Sequence, residues 1–87
     1  MARYKNYHYE EYTFVFKYED EPADMLHIWA RHMKTVDDAV EVWFEGTKEL
    51  WNNECARFET STDTECVFWT WIDEPGKVVM IISCFDI

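Results

Sequence analysis

The sequence predicts a single α+β domain, an antiparallel sheet of three or four strands with two helices packed on one face, in the order β-α-α-β-β. Three observations predict it. Tyr12–Tyr18 alternates with a period of two residues. Residues 25–33 and 36–58 place apolar side chains at helical spacing. Two apolar runs near the C-terminus flank Pro75-Gly76, a dipeptide suited to the centre of a tight turn. Eighty-seven residues are enough for one core and one domain. With 48% apolar and 18% aromatic residues, the composition is that of a folded chain rather than a disordered one.

The first strand follows a tyrosine-rich opening of Tyr4, Tyr7 and Tyr9. Tyr12, Phe14, Phe16 and Tyr18 share one face, and Thr13, Val15 and Lys17 the other. Tyr7 and Tyr9 are out of step with Tyr12 and Phe14, so a bulge or turn is expected at Glu10-Glu11. Glu19-Asp20-Glu21-Pro22 then ends the strand and begins a helix, because proline suits the first helical position and acids suit its positive end. Met25, Leu26, Trp29 and Met33 form its apolar stripe.

Thr35 followed by Val36-Asp37-Asp38 has the pattern of an N-cap with acids in the first turn. A second helix is expected to reach Phe58, with Val36, Ala39, Val40, Trp43, Thr47, Leu50, Trp51, Cys55 and Phe58 inward. Two features oppose it: Gly46 costs about 1 kcal/mol inside a helix, and residues 40–46 also alternate as a strand would. Residues 66–72 and 77–85 read as a hairpin through a type II turn. Both of its strands are apolar on both faces. A second layer therefore has to cover the sheet face away from the helices: the N-terminal tyrosines, a second copy, or a partner.

Charge narrows the function. Eighteen Asp and Glu against eight Lys and Arg give a net charge of −10, which repels phosphate backbones and anionic membranes and speeds encounter with a basic partner. Direct nucleic-acid or membrane binding is not expected. The opening residues lack the apolar run of a signal peptide, and no stretch is long enough to span a bilayer, so a cytoplasmic protein is expected. Cys55, Cys66 and Cys84 show no metal-binding spacing and read as buried free thiols, with a Cys66–Cys84 bridge across the hairpin as the minor alternative.

No catalytic signature is present. Ser61 and Ser83 lack a nucleophile elbow, and cysteines in apolar strands are poor nucleophiles. His27 and His32 are five apart and diverge on a helix, whereas zinc pairs are four apart. No cofactor, metal or enzymatic activity is expected. Asp86 is expected to pair with Lys5 or Arg3.

The most distinctive pattern is acidic. On a continuous second helix, Asp37, Asp38, Glu41, Glu45 and Glu49 fall at steps of three and four on the solvent face. Carboxylates four apart lie about 6 Å from one another along the axis, close to the spacing of phosphates on a nucleic-acid strand. Glu19, Asp20, Glu21 and Asp24 form a second acidic cluster, and Tyr7 and Tyr9 are the aromatic candidates for the same surface. In size, charge and absence of catalytic motifs, the chain resembles the small acidic inhibitors that phages encode against bacterial defence enzymes, including anti-CRISPR and DNA-mimicking anti-restriction proteins. That resemblance implies a non-enzymatic inhibitor, acting in the cytoplasm of a bacterial host, whose carboxylates occupy the basic channel of a nucleic-acid-handling enzyme. The alternative is a structural or adaptor protein that self-associates, as a homodimer, through its apolar sheet face.

Overall fold

The computed structural model describes residues 3–19 and 25–87. It contains β1 (Arg3–Tyr9), β2 (Tyr12–Tyr18), α1 (His27–His32), α2 (Val36–Glu45), β3 (Lys48–Asn52), β4 (Arg57–Ser61), β5 (Glu65–Asp73) and β6 (Val78–Asp86). The strands form one six-stranded mixed sheet in the order β1-β2-β6-β5-β4-β3. The α+β content agrees with expectation, but the three- or four-stranded antiparallel sheet in the order β-α-α-β-β is overturned. Strand β2 runs parallel to β6, from Thr13 beside Val78 to Phe16 beside Ile81, and every other pairing is antiparallel.

The main departure comes at Gly46. The expected helix to Phe58 stops at Glu45, and residues 48–61 form the β3–β4 hairpin instead. Gly46 allows the end of α2 to press on β4. A Cβ there would lie 2.3 Å from Thr60 Cγ2 and 3.3 Å from the Ser61 carbonyl oxygen. Thr47 N–H then donates to Ser61 O at 2.9 Å, so the chain enters the sheet directly. The hairpin turns through Asn52, whose Oδ1 accepts from Cys55 N–H, and through Ala56 in the left-handed region. Over residues 40–44, where helix and strand both fitted, the chain is helical.

Several local expectations hold. Strand β2 has the expected bounds, and a turn at Glu10-Glu11 brings Tyr9 opposite Tyr12, with Glu10 at a φ of 55°. Thr35 caps α2 through a capping box, accepting from Asp38 N–H at 3.1 Å while Asp38 Oδ2 accepts from Thr35 N–H at 2.9 Å. The C-terminal hairpin is present, but its turn is not type II. Lys77 N–H donates to Glu74 O across Pro75-Gly76, and the left-handed residue is Lys77 rather than Gly76. A type I turn followed by a left-handed residue has this form.

The core lies between α2 and one sheet face. Phe14, Phe16 and Tyr18 of β2, Val79 and Ile81 of β6, and Val67 and Trp69 of β5 meet Ala39, Val40 and Val42 of α2. Phe14 and Phe16 are fully buried, and burial of such a side chain contributes about 2–3 kcal/mol. Two bulges set the facing of the hairpin. The register slips at Ile82 and at Ile72, which leaves both exposed and turns Cys84 inward, three residues after Ile81. Part of the two-sided apolarity of this hairpin is therefore these two bulge residues.

Helix α1 is shorter than expected and is placed differently. Leu26 bridges to Tyr18, so the chain extends beside the end of β2 before α1 begins. Ile28 is the residue that α1 buries, while Trp29 and Met33 of the expected stripe are exposed. The expected helix start at Asp20-Glu21-Pro22 lies outside the described residues. Lys34, after α1, donates to Asp86 Oδ1 at 2.6 Å and Glu65 Oε2 at 2.9 Å. Asp86 thus pairs with Lys34 and not with Lys5 or Arg3. The two carboxylates hold the Lys34 ammonium well above its ordinary range.

Candidate functional site

The acidic row forms, although not on one helix. Asp37, Glu41 and Glu45 lie four residues apart on α2 and are exposed. Glu49 belongs to β3, contrary to the expected helix. Gly46 and Glu49 both adjoin Thr60, so Glu49 continues the row past the C-terminus of α2. Its carboxylate accepts from Thr60 Oγ1 at 3.3 Å, and that hydroxyl accepts from Trp69 Nε1 at 2.9 Å. The buried Thr60 thereby aims Glu49 from the core. Asp38 is taken out of the row, because its carboxylate closes the capping box and is half-buried.

Tyr9 joins the row and Tyr7 does not. The Tyr9 hydroxyl donates to Asp37 Oδ1 at 2.6 Å, and its pKa is pushed up to about 12, first by that hydrogen bond and then by burial. The Tyr7 hydroxyl meets the Tyr18 hydroxyl, and its ring packs edge-on against Phe16. Tyr7 and Tyr9 lie on the α2 side of the sheet, so the N-terminal segment does not cover the opposite face. In the second acidic cluster, Glu19 Oε1 accepts from His27 Nδ1–H at 2.8 Å. Asp20, Glu21 and Asp24 lie outside the described residues.

The electrostatics of α2 are one-sided. The helix carries three acids on its solvent face, one more in its cap and no basic residue. Glu45 sits in the last turn, where the negative end of the helix dipole repels a carboxylate, and Glu41 lies one turn before it. Neither Glu41 nor Glu45 forms an ion pair with any described residue. Arg57 is engaged by Glu59 and the Phe68 ring, and Lys77 by Glu11.

The three cysteines are free thiols, and Cys66 and Cys84 face opposite sides of the sheet. Burial pushes the Cys84 thiol up to about 12 and raises that of Cys66, which makes both poor nucleophiles at neutral pH. Cys55 is exposed, contrary to the expectation of three buried thiols. Among the described residues no three His, Cys, Asp or Glu side chains converge as metal ligands do, and no helix is long and apolar enough to cross a membrane.

Sequence reasoning missed β3 as an exposed edge. Leu50 and Trp51 fit a helical stripe facing inward, yet they are 68% and 51% exposed. The signals for a different outcome were Gly46, placed as a helix stop, and the Asn52-Asn53 pair, which suits a turn. The chain matches no family model, no curated protein and no solved structure.

Proposed function

We propose that the protein is a non-enzymatic inhibitor that binds a basic, nucleic-acid-handling bacterial enzyme through the acidic row of α2 and β3. The observation that carries this reading is the uncompensated line Asp37, Glu41, Glu45 and Glu49. Carboxylates stacked one turn apart, with one at the wrong end of the helix dipole, cost folding stability. Such a cost is retained when the charges serve a partner. Along α2, Asp37, Glu41 and Glu45 rise by about 6 Å per step, and they present a cationic channel with the charge spacing of a nucleic-acid strand. Tyr9 fixes one end of the row and Thr60 the other, so the charges are partly ordered before binding, which lowers the entropy cost of association.

The test reverses the two charges that have no internal role. Glu41→Lys with Glu45→Lys should weaken binding to a basic partner at least tenfold, while circular dichroism and thermal unfolding show an intact fold. Unchanged affinity in the folded double variant would reduce the row to a solubility feature.

A further inference from the structure

We infer that β3 is a self-pairing edge, at which two copies of the chain join their sheets into one twelve-stranded sheet. This inference rests on the strand edge and not on the acidic-row reading, although Glu49 belongs to both surfaces. It begins from the position of β3, the last strand of the sheet, with one side of its backbone paired to β4 and the other unpaired. Unpaired edges recruit further strands unless something blocks them. Strand β3 contains no proline, and no irregularity interrupts its register with β4.

Its side chains identify the geometry of the partner. Leu50 and Trp51 are adjacent and therefore project from opposite faces of the sheet, and both are more than half exposed. A partner lying on one face would bury only one of them. A strand added to the edge contacts both.

The charge pattern selects a second copy in antiparallel register. A two-fold axis perpendicular to the sheet at Leu50 keeps each face matched to itself. It sets Leu50 against Leu50 of the second copy, Glu49 against Trp51, and Lys48 against Asn52. No like charges are directly opposed, although each chain carries −10 overall. Lys48 also comes beside the turn of the second copy that bears Glu54. Both residues are exposed, and neither forms an ion pair with any described residue. The symmetry makes this match twice.

The edge is short, and its area falls below the roughly 1,600 Å² of a standard interface, so the dimer is concentration-dependent. Sedimentation equilibrium of the full chain from about 10 μM to about 1 mM spans the affinities such an interface supports. The wild type should dimerise in this range. Leu50→Lys places two lysines opposite each other in the dimer, yet within its own chain faces Glu59, so the fold is kept. Its dissociation constant should rise at least tenfold. Lys48→Glu and Glu54→Lys should each weaken the dimer, and the two together should restore it. A wild type that stays monomeric to 1 mM would overturn the inference. So would a dimer indifferent to Leu50→Lys in its folded form, or a double charge swap that fails to restore what the single changes remove.

Discussion

The Tyr9 hydroxyl donates to Asp37 Oδ1 at 2.6 Å, which ties the end of β1 to the first turn of α2. These residues are 28 apart in sequence, and their bond joins the outermost strand at one edge of the sheet to the helix that covers its centre. It also fixes the direction of the first carboxylate in the acidic row. Tyr9→Phe keeps the ring on Phe14 and removes only the hydroxyl. Urea unfolding should show a loss of about 0.5–1 kcal/mol, at the lower end for a hydrogen bond because the pair is solvent-exposed. Absorbance titration should lose a tyrosine that ionises near 12.

Gly46→Ala tests the junction between α2 and β3. In an exposed helix this change stabilises by up to about 1 kcal/mol. Here the new methyl meets Thr60, which is buried and held by Trp69 and Glu49. The expected outcome is a destabilisation of about 1–3 kcal/mol, the range for overpacking. Thermal unfolding of the variant checks the sign.

Glu45→Lys separates stability from binding. It removes the Glu41–Glu45 repulsion and places a cation at the C-terminus of α2. The gain should be about 0.5–1 kcal/mol in denaturant unfolding at low salt, and smaller at high salt. Affinity for the basic partner should fall in the same variant. Opposite movement of the two quantities is the signature of a charge kept for binding.

Alkaline pH should destabilise the fold through Cys84. Its thiol ionises near its ordinary 9.0 in the unfolded chain and only at about 12 in the fold. Between these values the unfolded state binds fewer protons, so stability falls as pH rises, and below about pH 8 the thiol contributes almost no pH dependence. The slope should approach about 1 kcal/mol per pH unit, since a full proton difference is worth about 1.4. Cys66 adds to the effect, and above its own ordinary range Tyr9 does as well. In Cys84→Ala, unfolding measured from pH 8 to 10.5 should show a clearly shallower fall.

The legible parts of the fold were those fixed by local chemistry. Alternating aromatics set the bounds of β2, Thr35 and Asp38 set the start of α2, and Pro75-Gly76 located the last turn. The illegible parts depend on contacts distant in sequence. Residues 47–58 place Leu50, Trp51 and Phe58 at helical spacing, and only the close approach of Gly46 to Thr60 decides for strands. The parallel pairing of β2 with β6 joins residues more than sixty apart, which no local period encodes. Helix α1 takes its facing from the bridge of Leu26 to Tyr18, so Ile28 is buried in place of Trp29. The acidic row was legible as a set because spacing by four holds along α2. Its last member, Glu49, stays in line only because β3 returns beside Thr60. The exposed edge is hidden in the sequence because Leu50 and Trp51 also fit the stripe of a longer helix.

The most direct test of the central claim is affinity capture from bacterial lysate on the immobilised protein, with bound proteins challenged by duplex DNA. The wild type should retain a basic nucleic-acid-binding enzyme at low salt and release it when DNA or high salt is added. Glu41→Lys with Glu45→Lys should retain far less of it, in line with an affinity at least tenfold weaker. A retained partner that DNA does not displace, or that the folded double variant holds equally well, would contradict the claim that the acidic row stands in for a nucleic acid.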